Sequence, residues 1–123
     1  MRLSLICCTA ASALLAAPAI AADCDLAMRH ATTVAVHGER ASISQNYVEA
    51  GNEAASARIP SIDAARHAKA CGCREAVPLL EDATVTAARA NAVINVDAAR
   101  GYGARLKKDA DLALDALRKC SAG

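Results

Sequence analysis

A chain of 123 residues with 14 Lys and Arg against 13 Asp and Glu has a formal net charge of only +1, which argues against a binder of nucleic acids or other polyanions. It is rich in alanine, has no Phe or Trp, and carries only six glycines and three prolines, so the composition favours helix and disfavours sheet. Alanine buries little apolar area, and a core without large aromatic anchors gains from covalent support.

Arg2 precedes an apolar run from Leu3 to Ile20, short for a membrane span, and Ala19-Ile20-Ala21 is a small-x-small cleavage site. Residues 1–21 therefore read as a secretory signal peptide, with Cys7 and Cys8 as passengers in its apolar core. Cleavage after Ala21 leaves 102 residues with 13 basic and 13 acidic side chains, a single domain over 22–123 with no transmembrane segment. The expected location is the periplasm or the exterior.

The remaining cysteines are Cys24, Cys71, Cys73 and Cys120, an even number in an exported chain. Cys24 to Cys71 spans 47 positions, and so does Cys73 to Cys120, which points to two equal units, 24–71 and 73–120, joined at Gly72. A shift of 49 positions also matches Ala27/Ala76, Val36/Val85, Arg40/Arg89, Ala41/Ala90, Asn46/Asn95, Ala50/Ala99, Ala55/Ala104 and Ala64/Ala113. Alanine matches are cheap in this chain; the Arg-Ala pair, the asparagine and the ungapped cysteine register weigh more. An internal duplication is the expectation.

Taken in chain order, helices are expected near 25–50, 54–71, 75–100 and 104–119, with turns at Gly51-Asn52 and at Gly101-Tyr102-Gly103. Leu80, Ala83, Ala87, Ala90 and Ile94 form one apolar stripe, and Ala31, Val34, Gly38, Ala41 and Gln45 its counterpart. Leu106, Ala110, Ala113, Leu117 and Cys120 form another, matched by Ala57, Ser61, Ala64, Ala68 and Cys71, so both unit-closing cysteines are expected on a core face. Ser61, after Pro60, is expected to cap a fresh helical start, and Pro78 delays the third helix to about Glu75. The fold class is all-α, an antiparallel four-helix arrangement of two disulfide-stapled hairpins.

Hairpin geometry gathers the four cysteines at one pole and favours Cys24–Cys71 with Cys73–Cys120. Two other pairings stay open there, Cys24–Cys73 with Cys71–Cys120, and Cys24–Cys120 with a tight Cys71–Cys73 ring. A redox pair is more usually Cys-x-x-Cys at a helix start, so Cys-Gly-Cys reads first as structural.

His30 and His37 lie seven apart, and the hairpin brings His30 opposite His67, a set that in principle suits a transition metal. The three share their faces with polar residues, and Leu79, Thr86 and Ala116 stand at the equivalent second-unit positions, so a solvated face is expected. His67 is expected to pair with Asp63. Glu81-Asp82 and Asp109, Asp111 and Asp115, interleaved with Lys107, Lys108, Arg118 and Lys119, read as charged surface, with contacts at Lys108–Asp111 and Asp115–Lys119 spacing.

There is no nucleophile elbow, phosphate loop or His-Glu-x-x-His motif. No catalytic residue, cofactor or metal ligand is assigned. The expected function is non-catalytic binding of another envelope protein, as an inhibitor, immunity protein, chaperone or accessory factor. The alternative is metal or thiol handling through the histidine face or the cysteine pole. Tyr47 and Tyr102, the two aromatic residues, fall near the turns at the pole opposite the cysteines, where they read first as covers on the end of the core and alternatively mark that opposite pole as a contact surface.

Overall fold

The computed structural model describes residues 10–122, with side chains from residue 19 onward. It is helical, with no strand among the described residues: α1 Ala10–Ile43, α2 Tyr47–Ser56, α3 Arg58–Ala70, α4 Ala76–Ala90 and α5 Val96–Ala122. No described helix is long and apolar enough to cross a membrane. The greater part of the expected signal peptide, including Cys7 and Cys8, lies outside the described side chains.

Helix α1 packs on α5 and α3, and α4 packs on the same two, which closes a ring of four arms. The second arm consists of α2 and α3, divided at Ala57. Proline explains the division. Pro60 has no amide hydrogen to donate to the carbonyl of Ser56, and its ring crowds that carbonyl, so the helix restarts at Arg58 with Pro60 in its first turn. Ser61 does not cap this restart as expected; it is buried, and its hydroxyl donates back to the carbonyl of Ala57 at 2.7 Å.

Two asparagines set the boundaries that the glycines were expected to set. The side chain of Asn46 accepts from the amide of Glu49 at 2.8 Å and starts α2 at Tyr47. Asn95 accepts from the amides of Asp97 and Ala98 at 2.8 and 3.1 Å and starts α5 at Val96. The first and fourth helices therefore end at Ile43 and Ala90, not near 50 and 100. Gln45 and Ile94 consequently leave their expected stripes and are exposed.

The expected breakers Gly51, Gly101 and Gly103 all lie inside helices. Gly103 is a contact residue: a Cβ there would meet Ala41 Cβ and Ser42 N of α1, each at 2.6 Å. A Cβ on Gly38 would meet Lys107 N of α5 at 2.6 Å. Backbones at this separation exclude any side chain, so glycine is required on both faces. Ascending α1 from Gly38 to Ile43 accompanies descending α5 from Lys107 to Arg100, whose Nε donates to the carbonyl of Ser44, just beyond α1, at 2.6 Å.

The core has two layers. Ala27, Ala31, Ala68, Cys73, Leu80 and Leu117 contribute to the layer near the cysteines, and Val34, Ala57, Ala83, Leu106 and Ala110 to the far one. Under the shift of 49, the buried positions of 24–71 fall on buried positions of 73–120, from Cys24/Cys73 and Ala31/Leu80 to Ala57/Leu106 and Ala68/Leu117. Ser44/Val93 and Gly51/Arg100 depart from this, buried in the first unit and half-buried in the second.

Candidate functional site

The Cys-Gly-Cys stretch is a helix cap. Gly72 takes φ 77°, in the left-handed region, and directs the chain out of α3. The amide of Cys73 donates to Ala68 O at 2.9 Å and that of Gly72 to Lys69 O at 3.1 Å, the paired closing bonds of a Schellman motif. The reversal sends the two cysteines to different helices. Cys71 bridges to Cys24 on α1 with Cα atoms 5.4 Å apart. Cys73 turns toward α5, where its Sγ donates to Ala116 O at 3.4 Å.

Cys73 and Cys120 are thiols in this structure. Cys73 is buried and Cys120 exposed, so Cys120 departs from the core face on which it was expected, and Cys71 is half-buried there. Burial pushes the Cys73 thiol up to about 12, with a further rise from the adjoining Cys120 side chain. Both thiols line an open cleft of about 380 Å³ together with Gly72, Arg74, Glu75, Ala116 and Lys119.

The histidines are more engaged than a solvated face would have them. The rings of His30 and His67 stack at 5.7 Å between centroids and 3° between planes. His67 Nδ1 lies 3.0 Å from Asp23 Oδ1, while Asp63, its expected partner, pairs with Arg66. His37 Nδ1 lies 2.9 Å from Glu53 Oε2 and ties α1 to α2. Only 18% of the His67 side chain and 23% of His37 is exposed, so neither faces solvent freely. In the second unit Leu79 and Ala116, at the positions of His30 and His67, both pack on the core. No group of three or more His, Cys, Asp or Glu among the described residues is arranged to hold a metal ion.

The acidic residues of α5 make short local contacts. Lys107 Nζ bonds Asp111 Oδ2 at 2.7 Å, and Arg118 bonds Asp115 at 3.2 Å, rather than Lys108 to Asp111 or Lys119 to Asp115. The hydrogen bond to Asp111 raises the pKa of Lys107 above the usual lysine range. Asp109 differs. Its Oδ2 is closed off from solvent without a hydrogen-bond partner among the described residues. Burial raises its pKa above the ordinary aspartate range, opposed by Arg105 and reinforced by Asp82. Sequence spacing gave no sign of this, because it depends on where α4 lies.

The pole opposite the cysteines carries apolar side chains in water. Ile94 is 83% exposed, Ile43 64%, Val48 55% and Tyr47 43%. Tyr102 does not join them; it packs against the far core layer. The two linkers meet at this end, since Arg100 holds Ser44 O and Gly51 sits against Ala90 O. Comparison with family models, with curated proteins and with solved structures finds no match.

Proposed function

We propose that this chain is an exported, non-catalytic scaffold over residues 22–123 that acts by binding another envelope protein, as an inhibitor, immunity, chaperone or accessory factor. Ile43, Tyr47, Val48 and Ile94, standing exposed at the two linkers, carry this reading. Ile59, Val85 and Leu112 are exposed singly along the helices and need no explanation, but these four flank the two linkers at one end of the bundle and together suit a contact surface. The cysteine bridge and the glycine contacts hold the helices beneath it, so little order has to be created on binding.

The same reading treats the molecule as two duplicated antiparallel hairpins, 24–71 and 73–120, with a second staple at Cys73–Cys120. The repeated burial register supports it, as do the asparagine caps 49 positions apart, each starting its unit's returning arm. Export after cleavage near Ala21 supplies the oxidising compartment that such bridges need. A thiol-handling role is the second reading, favoured by the Cys73 and Cys120 thiols sharing one cleft.

The test is capture from envelope extract by the oxidised protein, beside a variant carrying Ile43→Asp, Tyr47→Asp and Ile94→Asp. A stoichiometric partner retained by the first and lost by the second is expected. Equal recovery by both, or none by either, overturns the contact surface.

A further inference from the structure

We propose that the cleft at the cysteine pole is a thiol modification site, at which Cys120 accepts a small-molecule disulfide of the glutathione disulfide class and Cys73 resolves the adduct. The inference deepens the two-staple reading and rests on it, since the product is the Cys73–Cys120 bridge.

The two thiols differ in what can reach them. Cys120 lies in the last turn of α5 and opens to solvent, whereas Cys73 is 2% exposed beneath the α3 cap, with its Sγ bonded to Ala116 O. An incoming disulfide is therefore met by Cys120. The surrounding cleft is large enough for a peptide thiol, and Arg74 and Lys119 among its walls offset Glu75 and suit the carboxylates of such a ligand.

The reaction proceeds in two exchanges. Cys120 loses its proton to solvent and its sulfur attacks one sulfur of the small disulfide; that S–S bond breaks, and the first small thiol leaves, taking up a proton. Cys73 then loses its proton and attacks Cys120 Sγ. The mixed S–S bond breaks, the second small thiol leaves protonated, and the Cys73–Cys120 bond forms. Two protein thiols lose two electrons, and one disulfide becomes two thiols. The order follows from exposure, because Cys120 is open to solvent while Cys73 is buried, and burial is the chief cause that keeps Cys73 protonated, with a smaller rise from the Cys120 side chain. The smaller contribution is altered once Cys120 is held in the mixed disulfide.

The experiment treats the folded protein, with Cys24–Cys71 closed, with glutathione disulfide and follows each cysteine by peptide mass spectrometry. The wild type is expected to show a transient adduct on Cys120 followed by the Cys73–Cys120 bridge. Cys73→Ser is expected to accumulate the Cys120 adduct without resolving it. In Cys120→Ser, Cys73 should stay unmodified until urea unfolds the chain. An adduct that persists on Cys120 in the wild type overturns both the resolving step and the second staple. A bridge that closes while Cys73→Ser takes up no adduct, or with Cys73 modified first, overturns the entry order and leaves the staple standing.

Discussion

The two halves of this molecule share a burial register but differ in how they are secured. In 24–71 the returning arm is broken at Ala57 by Pro60, and the ends are joined by Cys24–Cys71. In 73–120 the equivalent position is Asp109, α5 runs unbroken from Val96 to Ala122, and the closing cysteines are a buried and an exposed thiol. Polar pairs hold the outside of the first half, His37 with Glu53 and His67 with Asp23. Forty-nine positions on stand Thr86, Tyr102 and Ala116, with Gly72 of the joint in place of Asp23; Thr86 is buried and Tyr102 and Ala116 pack on the core. The lesson is that a core of small residues fixes the spacing of helices and leaves their surfaces free to differ.

A second contrast lies across the bundle. The contact of α1 with α5 runs over Gly38 and Gly103, while the equivalent contact of α4 with α2 runs over Ala87 and Ala54. Removing two Cβ atoms lets backbones close in, and closer backbones bring more neighbouring atoms into van der Waals range.

The staples provide the largest break in this comparison. Cys24→Ala with Cys71→Ala opens a loop of 48 residues and is expected to cost about 4 kcal/mol by loop-closure entropy. Cys73→Ala with Cys120→Ala is expected to cost a similar amount in the glutathione-oxidised protein and far less in the untreated one. Urea unfolding of the four samples distinguishes these outcomes.

The glycines come next. Gly103→Ala places a methyl group where α1 already stands and is expected to cost about 1–3 kcal/mol by overpacking. Gly101→Ala, two residues away in open space, is expected to stabilise by roughly 0.5–1 kcal/mol, because alanine loses less backbone freedom in a helix. Opposite shifts of the unfolding midpoint within one helix would separate close approach from flexibility.

Asn46→Ala and Asn95→Ala should each cost about 1 kcal/mol, since each removes the acceptor for otherwise unpaired amides. Unequal losses in matched denaturation curves would show that the two linkers are not equivalent.

The smallest effect concerns Asp109. Its pKa in the fold lies above that of the unfolded chain, so the folded state keeps this proton to higher pH. The stability linked to it is present below the unfolded value and is lost as pH rises through the folded one, upward from the ordinary aspartate range. Asp109→Ala should flatten that decline relative to wild type. A variant whose stability falls as steeply over the same range would remove Asp109 from the account.

Much of this architecture could be read from residue order. The stripes through Leu80, Ala83, Ala87 and Ala90 and through Leu106, Ala110, Ala113 and Leu117 are buried as their spacing predicts. Where the reading failed, a local signal was ranked wrongly. Gly51 and Gly103 suggest turns because glycine breaks an isolated helix, whereas Asn46, with Glu49 three residues on, carries the start signal.

That the chain is helical and which stripes form the core could be read from residue order, because helix propensity and the 3.6-residue period act within one helix, whereas the equal cysteine spacing only favoured the Cys24–Cys71 pairing that the fold contains. Tertiary structure alone decided that Gly38 and Gly103 are contacts, that His30 stacks on His67, that Asp109 is closed off, and that Cys73 is buried while Cys120 is open. Each of those properties depends on the distance between helices, which is set by the summed packing of side chains remote in sequence and has no local signature.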